Sequence, residues 1–485
     1  DNVVGYINIF ANKSILVTNL GSIQSDIKLN IPGMSQQNAV YSGTVKSDKF
    51  DLGALLKIKD LGPITLDAKV TGRSFDPMLA QVNLNANIPQ LVYRNYPYQN
   101  IHADGLLEKN KFDGKVLVDD PNLALGFYGS LDFSDTLLKI NATANLLNSN
   151  FKNLLLTKDE LTAAGDVDLN WTGTNIDNFL GYVRLYNINV IRNGHHLDLD
   201  SIYVRSAVDE RNQKLVTIES NALTASVQGN YQLSKLPNSV IYYLSGYLPN
   251  YIEAPTTYTP NQNITFNIVT RQVDSLLGIL VPSIKGFNDA TITGALNTDL
   301  QQLSLDAKVP WGEVGNVKMK NISVSGDGNF RLLGLNAEAE KLSIGDSIIN
   351  GSVSVTTTLG SDSLLFNIAT NSPNAYGTAT INGRALANGD SLYLTFMQSE
   401  FYVGGDKWQI ANGSNIIFSD KYLNVNNLSL NSGGQSIVAN SESTAASAPI
   451  NIVIDNLAVG ELAKVAGLDN FETDGRINGS VQLIN

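Results

Sequence analysis

Apolar residues occupy every second position over long stretches of this chain, and the segment from Phe112 to Leu146 is a clear example. One parity carries Leu123, Leu125, Phe127, Leu131 and Phe133, and the register restarts after Asp135 with Ile140, Ala142 and Leu146. Successive side chains of an extended strand point to opposite faces. A period of two therefore predicts strands with one apolar face and one face in water.

The same alternation recurs from end to end, for example at Val82, Leu84 and Ile88 and again at Ile450, Ile452 and Ile454. It predicts an all-β protein with an antiparallel-rich sheet and a few short helices. An ordinary sandwich or barrel would explain individual strands of this kind, but a single domain of that type rarely reaches 485 residues. A longer array of strands is expected.

Two Asn-Gly pairs predict tight hairpins with definite registers. With a two-residue loop at Asn193-Gly194, the residue numbers of each cross-strand pair sum to 387. This register places apolar residues opposite each other. The pairs are Val190 with Leu197, Ile188 with Leu199, Leu185 with Ile202, and Val183 with Val204. The apolar parity changes between Leu185 and Ile188, which predicts a corner or paired bulge. The same rule at Asn388-Gly389 places Ile381 opposite Phe396 and Ala385 opposite Leu392.

Four short segments have helical character, and each precedes a strand that contains Gly. They are Asp51–Ile58, Phe151–Leu156, Val273–Leu280 and Val459–Leu468. Together with those strands they form a loose internal repeat. Breaks are predicted near Pro237–Pro260 and Ser441–Pro449. The predicted divisions are residues 1–237, residues 238–445 with a short helix near 272–282, and residues 446–485 as the start of a further helix-plus-strand unit.

Composition and motifs argue against several functional classes. The net charge is −12 without a basic run, so nucleic acid is not an expected partner. The chain has no cysteine and no hydrolase, metalloprotease, P-loop or dinucleotide motif. His195 and His196 point to opposite faces of one strand and His102 stands alone, which is a poor arrangement for a metal. We expect no enzyme activity, no metal and no cofactor.

A short recurring motif suggests modification of an exported protein. Asp-Ser/Thr-Leu/Ile occurs six times and resembles an acceptor motif for O-linked glycans in some diderm bacteria. Asp274-Ser275 lies in a predicted helix and is the weakest of the six. The candidate O-glycosylation sites are therefore Thr136, Ser201, Ser347, Ser363 and Ser391. The motif also arises in ordinary turns rich in Asp and Ser.

Longer motifs resemble the TamB family of bacterial envelope proteins. They are KFDLGALLKIKDLGPITLDAKVTGRSFDP from Lys49, QLVYRNYPYQNIHADG from Gln90 and KFDGKVLVDDPNLALGFYGSLDFSD from Lys111. The run from Leu457 to Leu483 is similar to the helix-plus-strand units that TamB and AsmA-like proteins share. The resemblance is good over roughly the first half of the chain. The family's membrane anchor and C-terminal domain have no counterpart here, which suggests a middle segment of a longer protein.

The resemblance implies an elongated sheet curled into a β-taco or open tube, with an apolar groove inside and polar residues outside. It implies a periplasmic location and a bridge that conducts phospholipid between the inner and outer membranes in support of outer-membrane biogenesis. The partners implied are phospholipids, other envelope proteins and, through parts outside this segment, an Omp85-family outer-membrane protein. An inner-membrane anchor would also lie outside the segment.

One parity of the clearest strands supplies the expected lining of the groove. The candidate lipid-binding residues are Val82, Leu84, Ile88, Leu123, Leu125, Phe127, Leu131, Phe133, Ile140, Ala142 and Leu146. Each methylene group moved out of water contributes about 0.8 kcal/mol, so acyl chains would be held without specific contacts. Two alternatives remain open, a scaffold or holdase for outer-membrane β-barrel proteins and a cell-surface adhesin with a dry interior.

Overall fold

A computed structural model gives the structure of the chain. It describes residues 5–10, 13–76, 78–250, 252–257, 259–344, 351–371, 378–419, 422–445, 448–460 and 475–484. The protein is all-β, with 67% of the described residues in strands and 8% in helices. All the pairings defined in the described part are antiparallel, and no closed barrel forms. The predicted fold class is confirmed.

The chain divides into two compact units. Unit 1 comprises residues 1–224 and 275–280, and unit 2 comprises residues 225–274 and 281–485. The strands of unit 1 are β1 (Gly5–Phe10), β2 (Lys13–Thr18), β3 (Gly21–Asn30), β4 (Val40–Asp51), β5 (Leu61–Arg73), β6 (Gln81–Tyr93), β7 (Tyr96–Glu108), β8 (Lys111–Asp120), β9 (Leu123–Asp132), β10 (Lys139–Ser149), β11 (Leu161–Thr172), β12 (Leu180–Arg192), β13 (His195–Val208) and β14 (Lys214–Ser220).

Strand β15 (Leu223–Asn230) begins in unit 1 and continues into unit 2. The remaining strands belong to unit 2 and are β16 (Asn263–Thr270), β17 (Ile284–Gly286), β18 (Thr291–Asn297), β19 (Gln302–Val314), β20 (Val317–Gly328), β21 (Leu333–Ile344), β22 (Ser352–Gly360), β23 (Ser363–Asn371), β24 (Thr378–Asn388), β25 (Ser391–Phe396), β26 (Ser399–Val403), β27 (Asp406–Ile410), β28 (Asn415–Ser419), β29 (Tyr422–Asn426), β30 (Leu428–Ser432), β31 (Gln435–Ser441), β32 (Ile450–Ala458) and β33 (Arg476–Leu483).

The strands of unit 1 pair in chain order from β1 to β14, each with its sequence neighbour. The Asn193-Gly194 hairpin has the predicted register, with Val190 opposite Leu197 and Val183 opposite Val204. Both turn residues have positive φ, 49° and 84°, as a type I′ turn requires.

Corners interrupt the long strands, as the change of parity near Leu185 predicts. Asn187 has φ +52° and is skipped in the pairing of β12 with β13. Asn100 in β7 and Asn321 in β20 have φ +51° and +46°. A left-handed conformation favours Asn over most other residues because its short polar side chain bonds locally. At Asn187 the side chain bonds across the ladder instead, since its Nδ2 donates to Oδ2 of Asp166 in β11 at 2.7 Å.

Unit 2 has a branched ladder. Strand β19 pairs with both β18 and β17, and β24 pairs with both β25 and β26. From β25 the pairing continues through β28 to β29. From β26 it continues through β27, β30, β31 and β32 to β33. The short strands β25 to β30 are thus halves of longer strands, each broken by a corner.

The second predicted hairpin has a different register. Ala385 lies opposite Leu394, and Gly383, not Ile381, lies opposite Phe396. The last strand residue is Asn388, which pairs with Ser391, so Gly389 and Asp390 form the loop. Gly389 has φ +56° at the first central position, where a type II′ turn places Gly. The predicted pairing was wrong by two residues, which leaves every side chain on its expected face.

The helices agree with prediction in part. The described α-helices are α1 (Leu52–Leu56), α2 (Leu236–Tyr247) and α3 (Asp274–Leu280), with 3-10 turns at Pro32–Met34, Gln36–Asn38 and Leu233–Lys235. The predicted helix at 151–156 is wrong, because that segment folds as turns. The helix predicted at 459–468 lies mostly outside the described residues. Helix α2 was missed, since Pro237 suggested a break although it occupies the first turn, where Pro is tolerated.

Within the described residues, none of the helices has the length and apolar character that a bilayer span requires.

Candidate functional site

The sheet of unit 1 has one continuous apolar face. The central row crosses twelve strands, from β3 to β14, and consists of Ile27, Gly43, Val70, Leu84, Gly105, Gly114, Gly129, Ala142, Leu169, Val183, Val204 and Ile218. A second row beside the first contains Tyr41, Gly72, Val82, Leu107, Phe112, Leu131, Ile140 and Trp171. We call these rows and those beside them on the same side the unit-1 apolar face.

The opposite face of the same strands is polar. One row across the same strands reads Asp26, Thr44, Lys69, Asn85, Asp104, Lys115, Tyr128, Thr143, Asp168, Arg184, Tyr203 and Glu219. Residues paired across a ladder share a face, so the alternation along each strand becomes a separation of two faces over the whole unit. Water wets one face, and the other offers hydrocarbon.

The structure brings most of the predicted lining residues onto this apolar face. Ten of the eleven lie in β6, β9 and β10 on the same side. Phe127 lies opposite Val116 and Ala144, and Leu125 lies opposite Val118 and Leu146. Phe133 differs, because it follows the end of β9 and is 57% exposed.

Most of these lining residues are only half-buried. Among the predicted set, Ala142 alone is buried, at 7% exposure. Phe127, Leu84 and Ile140 keep intermediate exposure. In the core of a sandwich, a second sheet about 10 Å away would cover such side chains. Within the described part of the chain, protein therefore does not cover the unit-1 apolar face over its whole extent.

In both units, a glycine opposite an aromatic residue lets the aromatic ring lie against the sheet on the apolar side. Phe366 lies opposite Gly383, and a Cβ built on that glycine would be 2.4 Å from the Cζ of the ring. The pairs Tyr41 with Gly72 and Phe266 with Gly294 have the same geometry, at 2.5 and 2.4 Å from the nearest ring atom. Each ring lies over the backbone of its partner instead of standing up from the sheet. The space above the sheet stays free of these large side chains.

One part of the unit-1 apolar face is covered, over β12 and β13. Ile279 and Leu276 of α3 pack there against Leu197, Leu199 and Ala222. The guanidinium of Arg192 fixes the helix by donating to the carbonyl of Ile279 at 3.0 Å. It also donates to Oδ2 of Asp159 at 2.7 Å, and this contact lowers the pKa of that carboxyl.

Unit 2 continues the separation of faces. A row of its apolar face comprises Leu303, Gly328, Leu333, Leu359, Leu364, Ala385, Leu394, Ile416 and Val425. A cavity of about 580 Å³ lies on this side and is lined mainly by Leu, Ala and Phe side chains. Its volume falls in the range of small-molecule sites. The sequence did not predict this cavity.

The candidate glycosylation sites differ in accessibility. Thr136 lies in an exposed turn after β9. Ser201, Ser363 and Ser391 lie within strands and are half-buried, and Ser363 Oγ accepts from Arg384 Nε at 2.9 Å. Ser347 lies outside the described residues. The geometry therefore favours Thr136 among the candidates.

The described part of the chain contains no group of three His, Cys, Asp or Glu side chains that could hold a metal ion. His102 instead bonds Asn87 across the β6–β7 ladder at 2.9 Å. Comparison of the chain with protein-family models, with curated proteins and with solved structures finds no match.

Proposed function

We propose that the apolar faces of this protein carry phospholipid acyl chains. The observation that carries the proposal is an apolar face that crosses the strands of unit 1 while its side chains stay half-buried. Exposed apolar surface of this extent is unusual for a protein that acts alone in water. Acyl chains would cover it and gain about 0.8 kcal/mol per methylene group.

Movement along such a face needs few broken contacts. Leu, Ile, Val, Ala and Gly follow one another from strand to strand, so a chain that slides exchanges one apolar neighbour for another. Along the unit-1 apolar face the head group would remain in water and needs no specific partner. The motifs from Lys49, Gln90 and Lys111 support a TamB-like bridge in the bacterial periplasm as the setting. That setting, with its outer-membrane partner, is part of the proposal.

Photo-crosslinking at two adjacent residues tests the proposal. A photoreactive phenylalanine at Phe127 would lie on the apolar face, and one at Tyr128 would lie on the polar face next to it. We expect phospholipid adducts at Phe127 and none at Tyr128, as read by mass spectrometry of gently purified protein. Adducts of β-barrel proteins at Phe127 would support the scaffold function instead. Absence of lipid adducts at Phe127 would remove the proposal.

A further inference from the structure

We propose that the cavity of unit 2 holds the cationic end of an amine-bearing lipid. The floor of this cavity is the end of the unit-2 apolar face. Leu359 lies opposite Leu364, and Ala387 lies opposite Leu392, which in turn lies opposite Phe418. An alkyl chain on this floor would meet hydrocarbon only. This part of the argument rests on the proposed function, whereas the preference for a cationic head does not follow from it.

The roof of the cavity is held in place independently of any ligand. Leu248 caps the C-terminus of α2 and lines the cavity. The hydroxyl of Tyr243 in α2 bonds to the carbonyls of Asn297 and Gln302 at 3.1 and 3.2 Å, and the hydroxyl of Tyr247 bonds to the carbonyl of Asn329. Helix α2 is thus attached to two hairpin turns. The site is preformed, which lowers the entropic cost of binding.

Two carboxylates line the cavity at neighbouring hairpin turns. Asp362 lies in the β22–β23 turn, and Asp390 lies in the β24–β25 turn. The backbone N–H and the side-chain amide of Asn250 each donate to Asp362 at 3.0 Å. These donors are neutral, so they orient the carboxylate without cancelling its charge. Asp390 is exposed.

The electrostatics favour a positive head group. The described lining contains no Lys, Arg or His. The C-terminus of α2 contributes further partial negative charge close by, since the N–H of Asp362 donates to the carbonyl of Tyr247 at 2.8 Å. The two carboxylates would attract a primary or quaternary ammonium, whereas a head group that carries only negative charge would be repelled. The occupant is therefore a lipid whose head group ends in an amine.

Binding of three single-chain probes to the whole chain tests this inference. They are dodecyltrimethylammonium, dodecyl maltoside and dodecyl sulfate, each used below its micellar concentration. We expect the ammonium probe to bind about tenfold more tightly than the uncharged one, which corresponds to about 1.4 kcal/mol. The sulfate should bind more weakly than both. Added salt should reduce the preference, because Asp390 is exposed to solvent.

Charge-neutral variants locate the effect. Asp362→Asn and Asp390→Asn should each reduce the ammonium preference, and the double variant should abolish it. Asp406→Asn removes one exposed charge in the β26–β27 hairpin and serves as the control, since it should leave the preference unchanged. A preference that persists in the double variant would overturn the inference. Equal binding of all three probes, or of none, would also overturn it, while the crosslinking at Phe127 would still decide the proposed function separately.

Discussion

Tyr231 shows how burial of one residue changes the response of the protein to pH. It follows β15 and is 8% exposed, and its hydroxyl donates to the carbonyl of Val227 at 3.1 Å. Burial raises the pKa of Tyr231 to about 12. In the unfolded chain the pKa is near 10, so unfolding releases a proton between about pH 10 and pH 12. The stability that Tyr231 contributes is full below pH 10 and is lost as the pH rises through this window.

The variant Tyr231→Phe should not show this loss of stability at high pH, because phenylalanine does not titrate. Below about pH 10 the variant should be less stable than the natural chain, because one hydrogen bond worth about 1 kcal/mol is missing. At about pH 11 the natural chain should have lost about 1.4 kcal/mol that the variant retains. Urea unfolding at about pH 9 and about pH 11 measures both values. A stability difference between the two proteins that does not change with pH would contradict the assigned pKa.

Hairpins show what local sequence can and cannot specify. The Asn193-Gly194 turn could be predicted completely, because both residues adopt positive φ and the strands pair without interruption from the turn to Ile188 and Leu199. At Asn388-Gly389 the same dipeptide is followed by Asp390, and a loop of Gly389 and Asp390 gives a type II′ turn that places equally apolar residues in register. When two registers differ by two residues, every side chain points to the same face of the sheet in both. The alternation of apolar and polar residues therefore does not distinguish between them.

Helix α2 could not be predicted because contacts outside the helix stabilise it. Tyr243 and Tyr247 are almost fully buried and bond to turns more than 50 residues away in sequence. The segment from Phe151 to Leu156 shows the reverse case. It has helix-forming residues, but it remains a turn, in which the N–H of Phe151 donates to the carbonyl of Leu161 and the side-chain amide of Asn153 donates to Oδ1 of Asn122 at 2.9 Å. Tertiary contacts override local propensity in both elements.

A substitution at Gly383 tests whether a glycine opposite an aromatic ring stabilises the paired strands. Gly383→Ala in β24 should displace the ring of Phe366 and destabilise the protein by about 1–3 kcal/mol. Gly479→Ala in β33 is the matched control, since nothing lies within 4 Å of a Cβ at that position. Urea unfolding of both variants gives the comparison. Adding Phe366→Leu to Gly383→Ala should restore part of the loss, and equal effects of the two Gly→Ala changes would show that the ring does not rest on the glycine.

Across the whole molecule, periodicity predicted which residues share a face but not what covers them. The rows through Leu84, Phe127 and Ala142 follow from alternation and in-order pairing. The cavity of unit 2 does not, because Asn250 and Asp362 are 112 residues apart in sequence.

A repeat also became visible in the structure. Pro89 stands opposite Asn100 in β6–β7, and Pro310 stands opposite Asn321 in β19–β20, so each unit has a hairpin with the same corner.

The strongest test of the proposed lipid path is a charge placed on the apolar face. Phe127→Asp puts a carboxylate between Val116 and Ala144 on a half-buried surface, whereas Tyr128→Asp puts one on the polar face, where Tyr128 is 49% exposed. Because water reaches the apolar face, Phe127→Asp should lower the free energy of unfolding by only about 1–2 kcal/mol. It should nevertheless reduce the phospholipid that copurifies with the chain several-fold, since acyl chains would have to pass a charge that needs water. Tyr128→Asp should change neither quantity, and urea unfolding with quantitative lipid mass spectrometry measures both. A charge placed in a packed core lowers the free energy of unfolding by about 4 kcal/mol or more. If Phe127→Asp has an effect of that size, the face is filled by protein and has no room for acyl chains.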